Sequence, residues 1–154
     1  MKGITISEMK VGDSASFTKT VSEHDVYTYA GVSGDFNPAH VNEVEAQKGM
    51  FGKRIAHGML SAGFISTVLG TQLPGPGTIY MGQELRFTKP VFFGDTITAT
   101  VTVAELIPEK NRAILDTVCT NQNGDVVIKG KATVMPPKAV SYTHLRAHET
   151  CADL

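Results

Sequence analysis

Between Ile55 and Leu73 the sequence IAHGMLSAGFISTVLGTQL is apolar at nearly every position, so a helix drawn through it has no continuous polar face. Such a helix has to be enclosed on several sides, and the rest of the chain must supply the enclosure. Pro74-Gly75-Pro76-Gly77 ends it, and from Thr78 onward the pattern changes to period two. The segments TIYMGQELRFTKPVFF, DTITATVTVAELI, RAILDTVCTN and VVIKGKATVM are rich in Thr, Val and Ile. Turn-forming Phe93-Gly94-Asp95, Pro108-Glu109-Lys110-Asn111 and Asn121-Gln122-Asn123-Gly124 separate them. Four successive strands with short connections imply an antiparallel sheet, and the earlier segment SASFTKTV can add a fifth. The expected fold class is α+β, a long central helix wrapped by a curved antiparallel sheet of about five strands.

The 154 residues suit one domain, expected over residues 1–138. A hydrophobic share of 42%, a charged share of 19% and a formal charge of −1 argue against an electrostatic grip on nucleic acid or anionic membrane. Neither a signal-peptide run nor a membrane span of about twenty apolar residues is visible, so a cytoplasmic protein is expected. Cys119 lies in an alternating segment and Cys151 near the end, with a spacing that implies neither a disulfide nor a metal site. The final stretch VSYTHLRAHETCADL has no strand alternation and resembles translated sequencing-adapter DNA. Residues 139–154 are therefore expected to be a non-native or disordered tail, the alternative being a short terminal helix, and His144, His148 and Cys151 are not site candidates.

The chemistry concentrates in YAGVSGDFNPAHVN, residues 29–42. Ser22 caps a predicted helix through Glu23, His24, Asp25, Val26, Tyr29 and Ala30 that ends near Ser33-Gly34. Asn42 is set to cap a second, EVEAQKG, closed by Gly49. Between them Pro38 lacks an N–H and biases Asn37 away from the α region, so Gly34 to Pro38 must turn. That turn can fold the Asp35 carboxylate and the His40 imidazole toward each other, as an acid/base pair would need. The bland alternative is an Asx-turn at Asp35 and a half-buried His40.

The string from Tyr29 through Ser33, Gly34-Asp35-Phe36-Asn37-Pro38-Ala39-His40 resembles the signature of the MaoC-like (R)-specific enoyl-CoA hydratases, type 2 hydratases with a hot-dog fold. Ile55-Ala56-His57-Gly58-Met59 and Pro90-Val91-Phe92-Phe93-Gly94-Asp95-Thr96 are similar to two further segments of that family, and the resemblance runs from about residue 5 to residue 137. Asn42 departs from the pattern, which more often has Asp, Ala or Ser there. The resemblance implies addition of water across a trans-2-enoyl-CoA double bond to give the (R)-3-hydroxyacyl-CoA. It assigns Asp35 and His40 as the catalytic pair, with Asn37 and Ser66 in support, and it implies a homodimer. No metal and no cofactor beyond the CoA of the substrate is expected.

Hydration needs a base for water, an acid for C2 and donors for charge on the thioester oxygen. Gly58, at the start of the long helix where N–H groups are free, is the expected oxyanion donor, unless it serves only close packing. His57 is expected to be structural and His24 exposed. Val68, Leu69, Leu73 and Val134 are expected to close the acyl pocket and favour short to medium chains. Lys53, Arg54, Arg86 and Lys89 are candidates for the CoA phosphates. A thioesterase, a 3-hydroxyacyl-carrier-protein dehydratase or a non-catalytic acyl-CoA binding module on the same fold remain alternatives.

Overall fold

A computed structural model describes residues 2–139; nearly all of the expected tail, residues 140–154, lies outside the described residues. Five strands form one antiparallel sheet: β1 (Ser14–Thr20), β2 (Ile79–Phe87), β3 (Thr96–Ile107), β4 (Arg112–Thr120) and β5 (Val126–Met135). Four helices precede β2: α1 (Glu23–Ser33), α2 (Pro38–Val41), α3 (Glu43–Gln47) and α4 (Gly58–Thr71). None of them is long and apolar enough to cross a membrane.

The strand order is β1-β3-β4-β5-β2. The short-connection expectation therefore fails at one place: β2 pairs with β5 and not with its sequence neighbour β3. The chain leaves β2 at Phe87 and is held away from β3, with the Val91 carbonyl accepting from Ala56 N–H and an isolated bridge joining Phe92 to Ile55. Register shifts in β2, β3 and β5 mark bulges, which bend the strands around α4. Ile97, Ala99, Val101 and Val103 of β3 and Ala113, Leu115 and Cys119 of β4 alternate inward, while the Thr18–Thr98 and Thr20–Thr96 hydroxyl pairs lie outward.

The helix α4 packs against all five strands and buries Leu60, Ser61, Ala62, Ile65, Val68 and Leu69. It begins at Gly58, three residues later than its apolar run suggests, because Ile55 and Ala56 spend their backbone groups on the bridge to Val91 and Phe92. Its enclosure is also incomplete. Met59, Gly63, Ser66 and Gly70 recur on one stripe that this single chain leaves exposed.

Local signals hold well in α1. The Ser22 hydroxyl accepts from Asp25 N–H, Asp25 reciprocates to Ser22 N–H, and Gly34 closes the helix in the left-handed region at φ 82°. Pro38 opens a short helix that turn reasoning did not anticipate, sitting at its first position where a missing N–H is harmless. Asn42 caps α3, which stops at Gln47 before Gly49 because Lys48 and Gly49 bond back only three residues, to Glu45 and Ala46.

Candidate active site

The loop between α1 and α2 is tied down bond by bond. Ser33 Oγ accepts from Asp35 N–H at 3.1 Å, Asp35 Oδ1 accepts from Asn37 N–H at 3.1 Å, and Asn37 Oδ1 caps α2 at Ala39 N–H at 3.0 Å. The Asx-turn at Asp35 is thus present, and it commits Oδ1 while leaving Oδ2 of the half-exposed side chain (51%) 4.0 Å from His57 Nε2. Asn37 holds the helix that carries His40.

His40 is buried, and its Nδ1 lies 2.7 Å from the Ile55 carbonyl oxygen. A carbonyl can only accept, so Nδ1 carries the proton and Nε2 is the free nitrogen. By the same reasoning His57 Nε2 donates to the Asp35 carbonyl oxygen at 2.9 Å. The His57 ring is 3% exposed, stacks on His40 with centroids 3.8 Å apart at 28°, and packs 4.7 Å from the Tyr29 ring. One side-chain donor atom from each of Asp35, His40 and His57 lies within 4.8 Å of the others. His57 is the brace of this cluster: it holds the Asp35 backbone with one edge and the His40 ring with its face.

His57 also opens α4, and a cleft of about 440 Å³ runs past that helix start, lined by Gly58, Met59 and Ser61 on one side and Phe87, Thr88 and Lys89 on the other. The Ile55 carbonyl that anchors His40 belongs to the same wall. A Cβ on Gly58 would stand 2.6 and 2.7 Å from the Phe87 ring carbons Cε1 and Cδ1, so the ring can keep this place only against a glycine. Gly58 N–H is among the first-turn groups that a helix leaves unpaired.

Three motifs far apart in sequence therefore meet: Asp35 to His40, Ile55 to Met59, and Pro90 to Thr96, with Asp95 Oδ2 accepting from Phe92 N–H to fix the last. The family described as MaoC like domain matches residues 7–123. The chain belongs to this family.

The MaoC-like chain is 62% identical over 130 residues to the (R)-specific enoyl-CoA hydratase of Rhodospirillum rubrum, covering 84% of this chain and 90% of that one. It is 46% identical over 139 residues to the 3-hydroxybutyryl-CoA dehydratase of Methylorubrum extorquens, covering 90% and 87%. Among solved structures, the unliganded R-hydratase PhaJ1 from Pseudomonas aeruginosa superposes with a TM-score of 0.84 at 45% identity, covering 89% and 88% of the two chains.

The remaining candidates fall unevenly in this MaoC-like fold. Val68, Leu69, Leu73 and Val134 are buried in the core between α4 and the sheet, and none lines the cleft beside Gly58. Ser66 lies on the exposed stripe of α4, and His24 is exposed as expected. Lys89 lines the cleft and pairs with Asp125 at 3.4 Å, while Lys53 lies 4.3 Å over the Phe92 ring. Arg86 is exposed on β2. Arg54 is corrected as a phosphate candidate: its guanidinium bonds Glu43 at 2.6 Å, Glu23 at 2.9 Å and the Tyr27 hydroxyl at 2.9 Å, and lies over Phe93. The Glu43 bond is the main cause that raises its pKa. Sequence reasoning passed over Ser61 and Phe87. A hydroxyl three residues after Gly58 in an apolar run is the available signal for the first; the second needs the strand order.

Proposed function

We propose that the chain is an (R)-specific enoyl-CoA hydratase, a hydro-lyase that converts trans-2-enoyl-CoA and water to (R)-3-hydroxyacyl-CoA. The observation that carries the reading is the meeting of the Asp35 carboxylate and the His40 ring beside the start of α4, in a chain 62% identical to an enzyme of that name. Two acceptors that each hold one hydrogen of a water molecule at hydrogen-bond distance stand about 4.4 Å apart, and the cluster's 4.8 Å limit accommodates that. Asp35 Oδ2 fixes one water hydrogen. His40 Nε2, a lone pair in the neutral ring, takes the other as the water oxygen bonds to C3.

Electron density moves from the C2–C3 double bond onto the thioester oxygen, which Gly58 N–H stabilises at the positive end of α4. The proton on His40 Nε2 then passes to C2 and restores the neutral ring. One molecule of water is consumed, and delivery of both parts from one side gives syn addition. No step of this mechanism calls on a metal, and each ring already gives a nitrogen to a backbone carbonyl.

Short to medium acyl chains suit a cleft of about 440 Å³ beside Gly58 and Ser61. Lys89 at the cleft suits the anionic CoA. The enzyme is cytoplasmic and a homodimer. The exposed edge strand β2, with Ile79, Tyr80, Met81 and Phe87, and the open stripe of α4 form the surface that a second copy covers.

The test is crotonyl-CoA with the purified protein. Loss of enoyl absorbance with no free thiol and an (R) product supports hydration; thiol release means a thioesterase, and no reaction leaves only binding. Light scattering at micromolar concentration should give the dimer mass, and a monomer would remove the homodimer.

A further inference from the structure

Among the described residues, two buried side-chain polar atoms have no hydrogen-bond partner, His57 Nδ1 and Ser61 Oγ. Both belong to the opening of α4. Ser61 is fully buried, and its backbone carbonyl already accepts from the Cys119 thiol, so the residue is held firmly while its hydroxyl is left over. Other hydroxyls of this helix behave differently. Thr67 donates to the Gly63 carbonyl and Thr71 to the Thr67 carbonyl, each four residues back. Ser61 makes no such bond to His57.

A buried hydroxyl without a partner destabilises a fold, and alanine at this position would fill nearly the same space at no such cost. Ser61 nevertheless lines the cleft with Gly58, one short step along the same helix face. We infer that the Ser61 hydroxyl is a second donor to the thioester carbonyl oxygen, acting beside the Gly58 backbone N–H as negative charge builds there. The inference rests on the hydratase reading given above. It follows from what the cleft lacks: the enoyl thioester brings an acceptor, and Ser61 is the side chain in the cleft that has a donor and nothing to give it to. Gly58 and Ser61 lie three residues apart on neighbouring positions of one helix face, and both line the cleft. The bond strengthens as the oxygen becomes an enolate, so the contribution falls on turnover more than on binding.

Turnover of crotonyl-CoA is measured for wild type, Ser61→Ala and Ser61→Cys, together with the melting temperature of each. Removing one such donor should lower kcat about 100-fold with KM changed by no more than about twofold. The melting temperature of Ser61→Ala should equal or exceed that of wild type. Ser61→Cys, of similar shape but a weak donor, should fall between the two in kcat. Wild-type kcat in Ser61→Ala overturns the inference and leaves the hydratase reading standing. A loss of kcat that comes with a lower melting temperature and a matching rise in KM also overturns it, since Ser61 would then be a packing residue. Absence of turnover by the wild-type protein removes both.

Discussion

The first turn of α4 and the turns that follow it are built by opposite rules. Later turns bury Ile65, Val68 and Leu69 completely and satisfy the hydroxyls of Thr67 and Thr71 on the helix backbone. The first turn begins on a histidine that offers no side-chain cap, continues with a glycine pressed against Phe87, and buries two polar atoms with no partner. One half is arranged for stability and the other for a molecule that arrives later. Unsatisfied polar groups and tight backbone contacts gather at the helix start that His57 joins to the Asp35 and His40 cluster, which is where strain is expected to serve chemistry.

Substitutions in the two halves should therefore fail in different ways. Gly58→Ala puts a methyl within 2.7 Å of the Phe87 ring, pushing the ring into the cleft and displacing the proposed donor. A loss in kcat/KM of about 100-fold is expected from a displacement near 1 Å, in steady-state assays, with circular dichroism unchanged. Ile65→Ala removes a fully buried side chain from a later turn and should cost about 2–5 kcal/mol in chemical denaturation, while the folded fraction turns over normally. Thr117→Val tests the core beneath the helix, where the buried Thr117 hydroxyl accepts from Gln83 at 2.9 Å. Loss of that partner should cost about 1 kcal/mol, in contrast to the neutral or stabilising effect expected of Ser61→Ala. A thiol probe gives the smallest signal: burial pushes the Cys119 pKa up to about 12, so the native protein should not be alkylated there at neutral pH.

Much of this division was legible in the sequence, since caps and turns act over a few residues. Ser22, Gly34 and Asn42 announce helix ends through their own side chains or φ angle, and the alternation of β3 and β4 needs only burial on one face. The proximity of Asp35 and His40 follows from Pro38 and the Asn37 cap. Strand order was not legible, because β2 chooses β5 through contacts made some fifty residues away, and no local pattern separates that pairing from a meander. Arg54 reads as a free cation until folding brings Glu23 and Glu43 to it. A structural role for His57 is legible in the sequence, but its partner, the Asp35 carbonyl against its Nε2, is not.

The most direct test of the central claim is the hydration rate of crotonyl-CoA in Asp35→Asn and His40→Gln. Both should fold with wild-type melting temperatures within about 1 °C per few tenths of a kcal/mol lost and lose about 100- to 10,000-fold in kcat. A folded variant of either residue that hydrates crotonyl-CoA at the wild-type rate would contradict the account.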